Sequence, residues 1–134
     1  MRVVLDSNVL IAALISRAGP PAQVVVRGLE GEFEIVVSDL LLAELRAALT
    51  APKLRKRVSS DDAEEFVALL EAHAILLVDA PAPPSRSADP KDDYLIALAG
   101  QAKAMLVSGD RHLLDLAAEI PVKTPRDFLL MLGQ

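Results

Sequence analysis

Near its start the chain contains the stretch Val3-Val4-Leu5-Asp6-Ser7-Asn8, which joins a short apolar run directly to an acid and to a helix start. A continuous run of β-branched and aliphatic residues is typical of a strand buried on both faces of a parallel sheet. Asp6 then lies at the carboxyl end of that strand, where open α/β sheets bind their ligands. Ser7 and Asn8 can begin the following helix and hydrogen-bond a ligating carboxylate.

Further apolar runs repeat this pattern along the chain. They lie at residues 35–37, 75–78 and 105–107 and, more weakly, around Val122. Helical patterns alternate with them, and their expected N-caps are Ser38, Ser59, Asp89 and Thr124. Residues 81–87 are rich in proline, alanine and serine and are interpreted as a loop. Strands that alternate with helices predict a parallel sheet joined by right-handed crossovers, in a single α/β domain over residues 1–134.

Three other segments place carboxylates where a strand ends or a helix begins. They contain Glu44 in the second predicted helix, the pair Asp92–Asp93, and Asp110 after the fourth strand. Because the carboxyl ends of parallel strands share one edge of the sheet, these acids are predicted to converge with Asp6. Several anions in one pocket repel one another, and a hard divalent cation is the usual remedy. The pattern is typical of a metal-dependent phosphoryl-transfer site.

The adjacent acids Asp92 and Asp93 are not equivalent, because successive helical residues point about 100° apart. Asp92 lies three residues after Asp89 and can complete a capping box with it, so we expect it to be mainly structural, supporting the site. Asp93 is the expected ligand. Glu44 could instead be a solvated helical glutamate, but its leucine-rich neighbours favour a polar partner. Asp110 could instead be only the N-cap of a short helix.

Other polar and basic side chains complete the predicted site. Asn8 and Ser108 are expected to support the ligating carboxylates. Basic residues are as often a solvated surface as a binding surface. The functional interpretation is a basic rim that binds phosphates. Its predicted members are Lys53, Arg55, Lys56, Arg57, Lys91 and Arg111, with Arg86 beside them. The two histidines, His73 and His112, are too few for a zinc site and are expected at the surface or at helix caps.

The composition limits the classes of function. A net charge of −5 argues against a sequence-independent nucleic-acid binder, unless much of the acid is concentrated in a metal site, because a bound cation reverses the local charge. Only 3% of the residues are aromatic, so stacking platforms for bases are largely missing. The absence of cysteine excludes disulfides and thiolate-bound zinc. No apolar run reaches the roughly 18 residues of a membrane span, and we expect a soluble cytoplasmic protein.

Four motifs together resemble the PIN-domain family, in particular its toxin branch of VapC-like proteins. They are Val-Val-Leu-Asp-Ser-Asn-Val-Leu-Ile at residues 3–11, Ser-Asp-Leu-Leu-Leu-Ala-Glu-Leu at 38–45, Asp-Pro-Lys-Asp-Asp-Tyr-Leu-Ile-Ala-Leu-Ala at 89–99, and Leu-Val-Ser-Gly-Asp-Arg-His-Leu-Leu at 106–114. The resemblance covers essentially the whole chain, and the motifs keep their order and spacing. It implies a three-layer α/β/α sandwich with a central, mainly parallel sheet.

The resemblance also implies an activity and a set of catalytic acids. Carried over position by position, the acids that bind Mg²⁺ or Mn²⁺ are Asp6, Glu44, Asp93 and Asp110, with Asp115 as a further candidate. The implied function is endoribonucleolytic cleavage of single-stranded RNA by the toxin of a type II toxin–antitoxin pair, with an antitoxin as a possible partner and a homodimer as the expected assembly. The alternatives are a catalytically silent PIN-fold binding module and a metal-dependent phosphatase.

Overall fold

A five-stranded parallel sheet is the centre of the molecule, for which a computed structural model describes residues 1–81, 83–87 and 89–133. The strands are β1 Arg2–Leu5, β2 Glu34–Val37, β3 Ile75–Leu76, β4 Met105–Val107 and β5 Val122–Lys123. The helices are α1 Ser7–Ile15, α2 Pro20–Leu29, α3 Asp39–Thr50, α4 Pro52–Arg55, α5 Ser60–His73, α6 Asp93–Ala102, α7 Arg111–Leu114 and α8 Pro125–Leu132. A 3₁₀ turn, Pro90–Asp92, precedes α6. Residues 81 and 83–87 form no helix or strand, as predicted for this loop, whereas its residue 82 lies outside the described residues.

The order of the strands is β3-β2-β1-β4-β5, and every neighbouring pair is parallel. From β1 the chain moves outward to β2 and β3, then returns to β4 and continues to β5 at the other edge. Right-handed crossovers in these two directions place helices on opposite faces, so the predicted α/β/α sandwich is confirmed. The direction changes between β1 and β4, and open α/β sheets bind ligands in the crevice at such a point.

The core is aliphatic, as the composition requires. All three β1 residues after Arg2 are completely buried, because helices cover both faces of the central strand. The leucines of α3 that face the core are also buried; they are Leu41, Leu42, Leu45 and Leu49. One aromatic pair adds to this core: the rings of Phe33 and Phe128 meet edge to face, with centroids 5.2 Å apart.

A glycine lets α2 approach β2 closely. A Cβ atom added at Gly28 would lie 2.7 Å from Cδ1 of Ile35 and 2.9 Å from the ring of Phe33. Real Cβ atoms do not approach other heavy atoms so closely, so any side chain here would push the helix away from the sheet. Gly28 therefore sets the distance between this helix and the sheet.

Three of the predicted helix starts have the expected side-chain caps. Ser38 accepts a hydrogen bond from the backbone of α3, Ser59 from that of α5, and Thr124 from that of α8. Asp89 also caps, but it accepts from the backbone N–H of Lys91 and begins the 3₁₀ turn, while α6 begins only at Asp93. This extra turn changes the directions in which the neighbouring acids point.

The length and hydropathy of a helix decide whether it could cross a membrane. Among the described residues, no single helix is long and apolar enough. α1 and α2 together pass by length and composition, but they meet at a bend of 103°.

Candidate metal centre at the carboxyl edge of the sheet

Asp6 is the central acid of the site, because it follows the middle strand directly. It is 3% exposed, and its Oδ2 accepts a hydrogen bond of 2.7 Å from the hydroxyl of Ser108. Burial raises the pKa of Asp6, and the hydrogen bonds from Ser108 and from the backbone N–H of Asn8 partly offset this rise. The charges of Glu44 and Asp110 raise the pKa further, which places both carboxylates near Asp6.

Ser108 connects the ends of β1 and β4. It is completely buried, and its Oγ donates to Asp6 while accepting a hydrogen bond of 2.9 Å from the backbone N–H of Asp110. Asp110 in turn caps α7, because its Oδ1 accepts a bond of 2.8 Å from the backbone N–H of His112. The geometry thus places Ser108 where a supporting hydroxyl was predicted, and it makes Asp110 both an N-cap and a member of the acid cluster.

Asp92 lies inside this cluster. Burial raises the pKa of Asp92 to about 7, and the charges of Asp110, Asp6 and Asp89 contribute to that rise. Its Oδ2 is buried and has no hydrogen-bond partner in the described part of the chain. A buried carboxylate oxygen without a partner is costly, so this atom suits contact with a cation.

Asp93 binds the loop backbone, and its charge is not among those that raise the pKa of Asp6 or Asp92, in contrast to the sequence prediction of a shared site. Its Oδ1 accepts hydrogen bonds of 3.0 Å and 2.8 Å from the backbone N–H groups of Arg86 and Ser87, and the residue is 6% exposed. These two bonds lower the pKa of Asp93 and tie the loop before the 3₁₀ turn to the start of α6. The structure therefore places Asp92 among the acids and Asp93 in a loop-anchoring position, the reverse of what the helical spacing suggested.

Glu44 extends from the second turn of α3 toward the same edge. The side chain is exposed, and its carboxylate accepts a hydrogen bond from the hydroxyl of Tyr94 in α6. Burial raises the pKa of Tyr94, and so do the hydrogen bond to Glu44 and the charges of Glu44, Asp6 and Asp79. Tyr94 therefore stays protonated as a donor and holds the Glu44 carboxylate on the side of Asp6.

The sequence analysis gave no site role to Tyr94, nor to Asp79. Tyr94 is the only tyrosine of the chain, and its hydroxyl amid the aliphatic residues of α6 is the signal that could have identified it. Asp79 follows the third predicted strand; its Oδ2 accepts a bond of 3.0 Å from the backbone N–H of Leu40 at the start of α3, and its Oδ1 is buried without a partner among the described residues. Asp79 thus orders the helix that carries Glu44.

A second set of potential ligands overlaps the cluster. One ligand atom each from Asp89, Asp92 and His112 lies within 4.8 Å of the other two, and Nδ1 of His112 is 3.6 Å from Oδ1 of Asp110. Carboxylate oxygens predominate among these donors, which suits Mg²⁺ or Mn²⁺ better than zinc. Asp92 is common to both groups, so its unpartnered oxygen is the point at which a divalent cation fits best.

The predicted basic rim divides into two parts. Lys91 adjoins Asp92, and Arg111 follows Asp110, so both are exposed beside the cluster. The run of Lys53, Arg55, Lys56 and Arg57 lies beyond the far end of α3, whose twelve residues carry the chain about 18 Å from the acid-bearing edge. Arg55 lines a cavity of about 390 Å³ between α3 and α5, and none of the acids of the cluster lines it. The structure therefore does not bring this run together with the cluster.

Three other predicted positions lie outside the cluster or at its margin. Asn8 is exposed at the start of α1, next to Asp6, where it was expected. Asp115 is exposed at the end of α7. His73 caps the end of α5 through a contact of 3.0 Å between its Nδ1 and the carbonyl of Leu69, as expected for a capping histidine.

These features define a parallel α/β protein with a carboxylate cluster at the point where its strand order changes direction. The chain belongs to the PIN-domain family, because the family model described as PIN domain matches residues 2–112, a range that includes all the acids of the cluster. An uncharacterized protein of Methanocaldococcus jannaschii, MJ1680, is 25% identical over 139 residues, which cover 96% of this chain and 90% of that protein.

Solved structures share the fold at low sequence identity. The structure of PAE2754 from Pyrobaculum aerophilum has a TM-score of 0.69 and 20% identity, and the match covers 99% of this chain and 90% of that one. VapBC2 from Rickettsia felis, bound to a DNA fragment from its promoter, has a TM-score of 0.63 and 11% identity over 92% and 98% of the two chains. VapBC-1 from nontypeable Haemophilus influenzae has a TM-score of 0.62 and 17% identity over 94% and 99%.

Proposed function

We propose that this chain is a metal-dependent endoribonuclease that cleaves phosphodiester bonds in single-stranded RNA. One observation carries the proposal: Asp6, Asp92 and Asp110 crowd together at the switch point of the sheet, where an oxygen of Asp92 is buried without a partner. Membership in the PIN-domain family supports it, because the resemblance implies this activity. The proposed metal-binding acids are Asp6, Asp92 and Asp110, with Glu44 beside them, and Asp93 takes the structural role.

The residues of the site have different roles in the proposed reaction. A divalent cation, Mg²⁺ or Mn²⁺, would supply the positive charge that binds the scissile phosphate and lowers the pKa of a bound water. The hydroxyl of Ser108 holds Oδ2 of Asp6, while Oδ1 of Asp6 accepts from the backbone N–H of Asn8 at the start of α1. Glu44, held by Tyr94, is the side chain best placed to orient the attacking water or accept its proton. Lys91 and Arg111 lie where the flanking phosphates of the strand would pass.

Incubation with a mixed-sequence single-stranded RNA and Mn²⁺ tests the proposal. The wild-type protein should cleave the RNA, and EDTA or the substitution Asp6→Asn should abolish cleavage without unfolding the protein. Arg2→Gln is a matched control, because Arg2 lies at the amino end of β1, whereas Asp6 follows its carboxyl end. Metal binding without cleavage of RNA, together with release of phosphate from small esters, would favour the phosphatase. If the protein neither binds metal nor cleaves RNA, the result would favour the silent binding module.

Tyr94→Phe should lower kcat for RNA cleavage by about tenfold and leave KM nearly unchanged. The substitution removes only the hydroxyl that holds Glu44, while the ring keeps its packing in α6. If Tyr94 acts through Glu44, the double variant Tyr94→Phe with Glu44→Gln should lose no more activity than Glu44→Gln alone. Additive losses in the double variant would show that Tyr94 does not act by positioning Glu44. Thermal unfolding of the single variants controls for a general loss of stability.

The proposal also includes partners and location. The fold is shared with VapBC structures, and we propose that this chain is likewise the toxin of a type II pair in the cytoplasm, restrained by an antitoxin. Homodimerisation is proposed through exposed apolar side chains: Leu130 and Met131 of α8 are 72% and 42% exposed, and Val26 of α2 is 51% exposed. Light scattering on the purified protein measures the assembly, and a monomer at micromolar concentration would contradict the dimer.

A further inference from the structure

A groove of about 300 Å³ lies beside the acid cluster, between the beginnings of α1, α2 and α8. Its walls are mainly apolar: Ala12 lines it from α1, and Pro20 and Pro125 line it from the first turns of α2 and α8. Arg126 is exposed at its rim. Pockets of roughly this size and apolar character accommodate small organic groups.

The groove and the acid cluster share a wall. Asn8 lines the groove, and its backbone N–H donates to Oδ1 of Asp6. Gly109 also lines it, and this residue connects Ser108 with Asp110. A Cβ atom at Gly109 would meet no other atom within 4 Å, so the backbone borders open space here. One molecule could therefore occupy the groove and the site at the acids together.

The charge of the groove contrasts with that of the cluster. No carboxylate lines it in the described part of the chain, and Arg126 is its one charged side chain there. This combination, an apolar cleft with a cation at its rim, suits a planar base with its attached phosphate. Aromatic residues are scarce in this chain, and the proline rings of the groove instead offer apolar C–H groups against which the face of a base can pack.

We infer that this groove is a nucleotide subsite, which holds a base next to the scissile phosphodiester and contacts an adjoining phosphate through Arg126. The inference rests on the proposed ribonuclease function, because the acids provide the site of cleavage that the groove adjoins. The subsite would fix the position of the strand relative to the cation, so it would influence which bond is cut.

Binding of a fluorescein-labelled octaribonucleotide, measured by anisotropy in Ca²⁺ with the RNA checked for integrity, tests the subsite without requiring cleavage. Ala12→Leu fills the groove from within α1 and should raise Kd about tenfold. Arg126→Gln should raise Kd severalfold and reduce the slope of log Kd against log salt by about 1. Two matched substitutions of residues that do not line the groove, Ala72→Leu at an exposed position near the end of α5 and Arg2→Gln at the start of β1, should leave Kd unchanged.

The outcomes separate the subsite from the catalytic proposal. Unchanged binding by both Ala12→Leu and Arg126→Gln, or no binding of the octanucleotide by the wild-type protein, overturns the subsite even if RNA is cleaved. Weakened binding by both variants, with no cleavage by the wild type in Mn²⁺, would support the subsite and overturn the nuclease. If Ala12→Leu does not fold, Arg126→Gln decides alone, because this side chain is exposed.

Discussion

Asp92→Asn should lower the rate of RNA cleavage by about a hundredfold or more and weaken Mn²⁺ binding, whereas Asp93→Asn should leave both nearly unchanged. Loss of a ligand that stabilises several kcal/mol of transition-state charge corresponds to a factor of this size. The two substitutions are isosteric and adjacent, so each serves as the control for the other. Cleavage kinetics and calorimetric titration with Mn²⁺ are the measurements.

The physical reason for the difference lies in the surroundings of the two carboxylates. Asp92 lies among Asp6, Asp89 and Asp110 and has a buried oxygen without a partner, so a neutral amide there removes charge that a cation needs. The Oδ1 of Asp93 accepts two backbone N–H groups, and an asparagine oxygen can still accept both. Asp93→Asn should lower the stability slightly, because its hydrogen bonds become weaker when the acceptor is uncharged. If Asp93→Asn is inactive and Asp92→Asn is active, Asp93 and not Asp92 is the metal ligand.

The pH dependence of stability gives an independent readout of Asp92 in the metal-free protein. Its pKa of about 7 in the fold exceeds the ordinary value of 3.8, so between these values the folded protein keeps a proton that the unfolded chain releases. The folded state binds more protons, and the free energy of unfolding should therefore fall as the pH rises from about 4 through about 7. Asp92→Asn should flatten this decline, leaving the part due to Asp6, whose pKa is also raised. Urea unfolding in EDTA across this range measures the effect.

The fold could be predicted from the sequence because its strands are buried and its helices carry local caps. Short apolar runs identified all five strands, and only the length of β3 was overestimated: it was predicted over residues 75–78 but ends at Leu76. The reason is that β3 is an edge strand with β2 as its one neighbour, and β2 ends at Val37, which pairs with Leu76. An apolar run shows that a segment can form a strand, whereas the partner decides how far pairing extends.

The site was predicted less completely, since side-chain direction depends on contacts between distant segments. Helical spacing was applied to Asp92 and Asp93 as though both lay in one helix, but the 3₁₀ turn ends at Asp92 and α6 begins at Asp93. The loop backbone that binds Asp93 is six and seven residues away and has no sequence pattern that reveals it. The basic run at residues 53–57 was assigned to the site because it follows the helix of Glu44, yet that helix carries the chain away from the acids.

Phe128→Ala should lower the free energy of unfolding by about 3–5 kcal/mol, the largest effect on stability that we expect from a single substitution. Phe128 is completely buried, and its ring meets Phe33 edge to face at 5.2 Å. Alanine would leave a cavity where α8 packs on the rest of the molecule and would remove the aromatic pair. Since small domains have about 5–15 kcal/mol of stability in total, a large fraction would be lost. Urea unfolding of the purified variant measures the change.

The same helix provides the matched control and connects this packing to the groove. Leu130→Ala, at a side chain that is 72% exposed in the single subunit, should change the stability of the monomer by no more than about 0.5 kcal/mol, measured at a protein concentration at which the proposed dimer is dissociated. Because α8 carries Arg126 and Pro125, looser packing of Phe128 should weaken RNA binding at the groove. Mn²⁺ binding should persist, because the proposed metal-binding acids lie after β1, on α3, before α6 and after β4, and none of them lies on α8. Equal stabilities of Phe128→Ala and Leu130→Ala would mean that the Phe128 ring does not anchor α8. Parallel losses of Mn²⁺ binding and RNA binding in Phe128→Ala would mean that the groove and the acids do not respond separately.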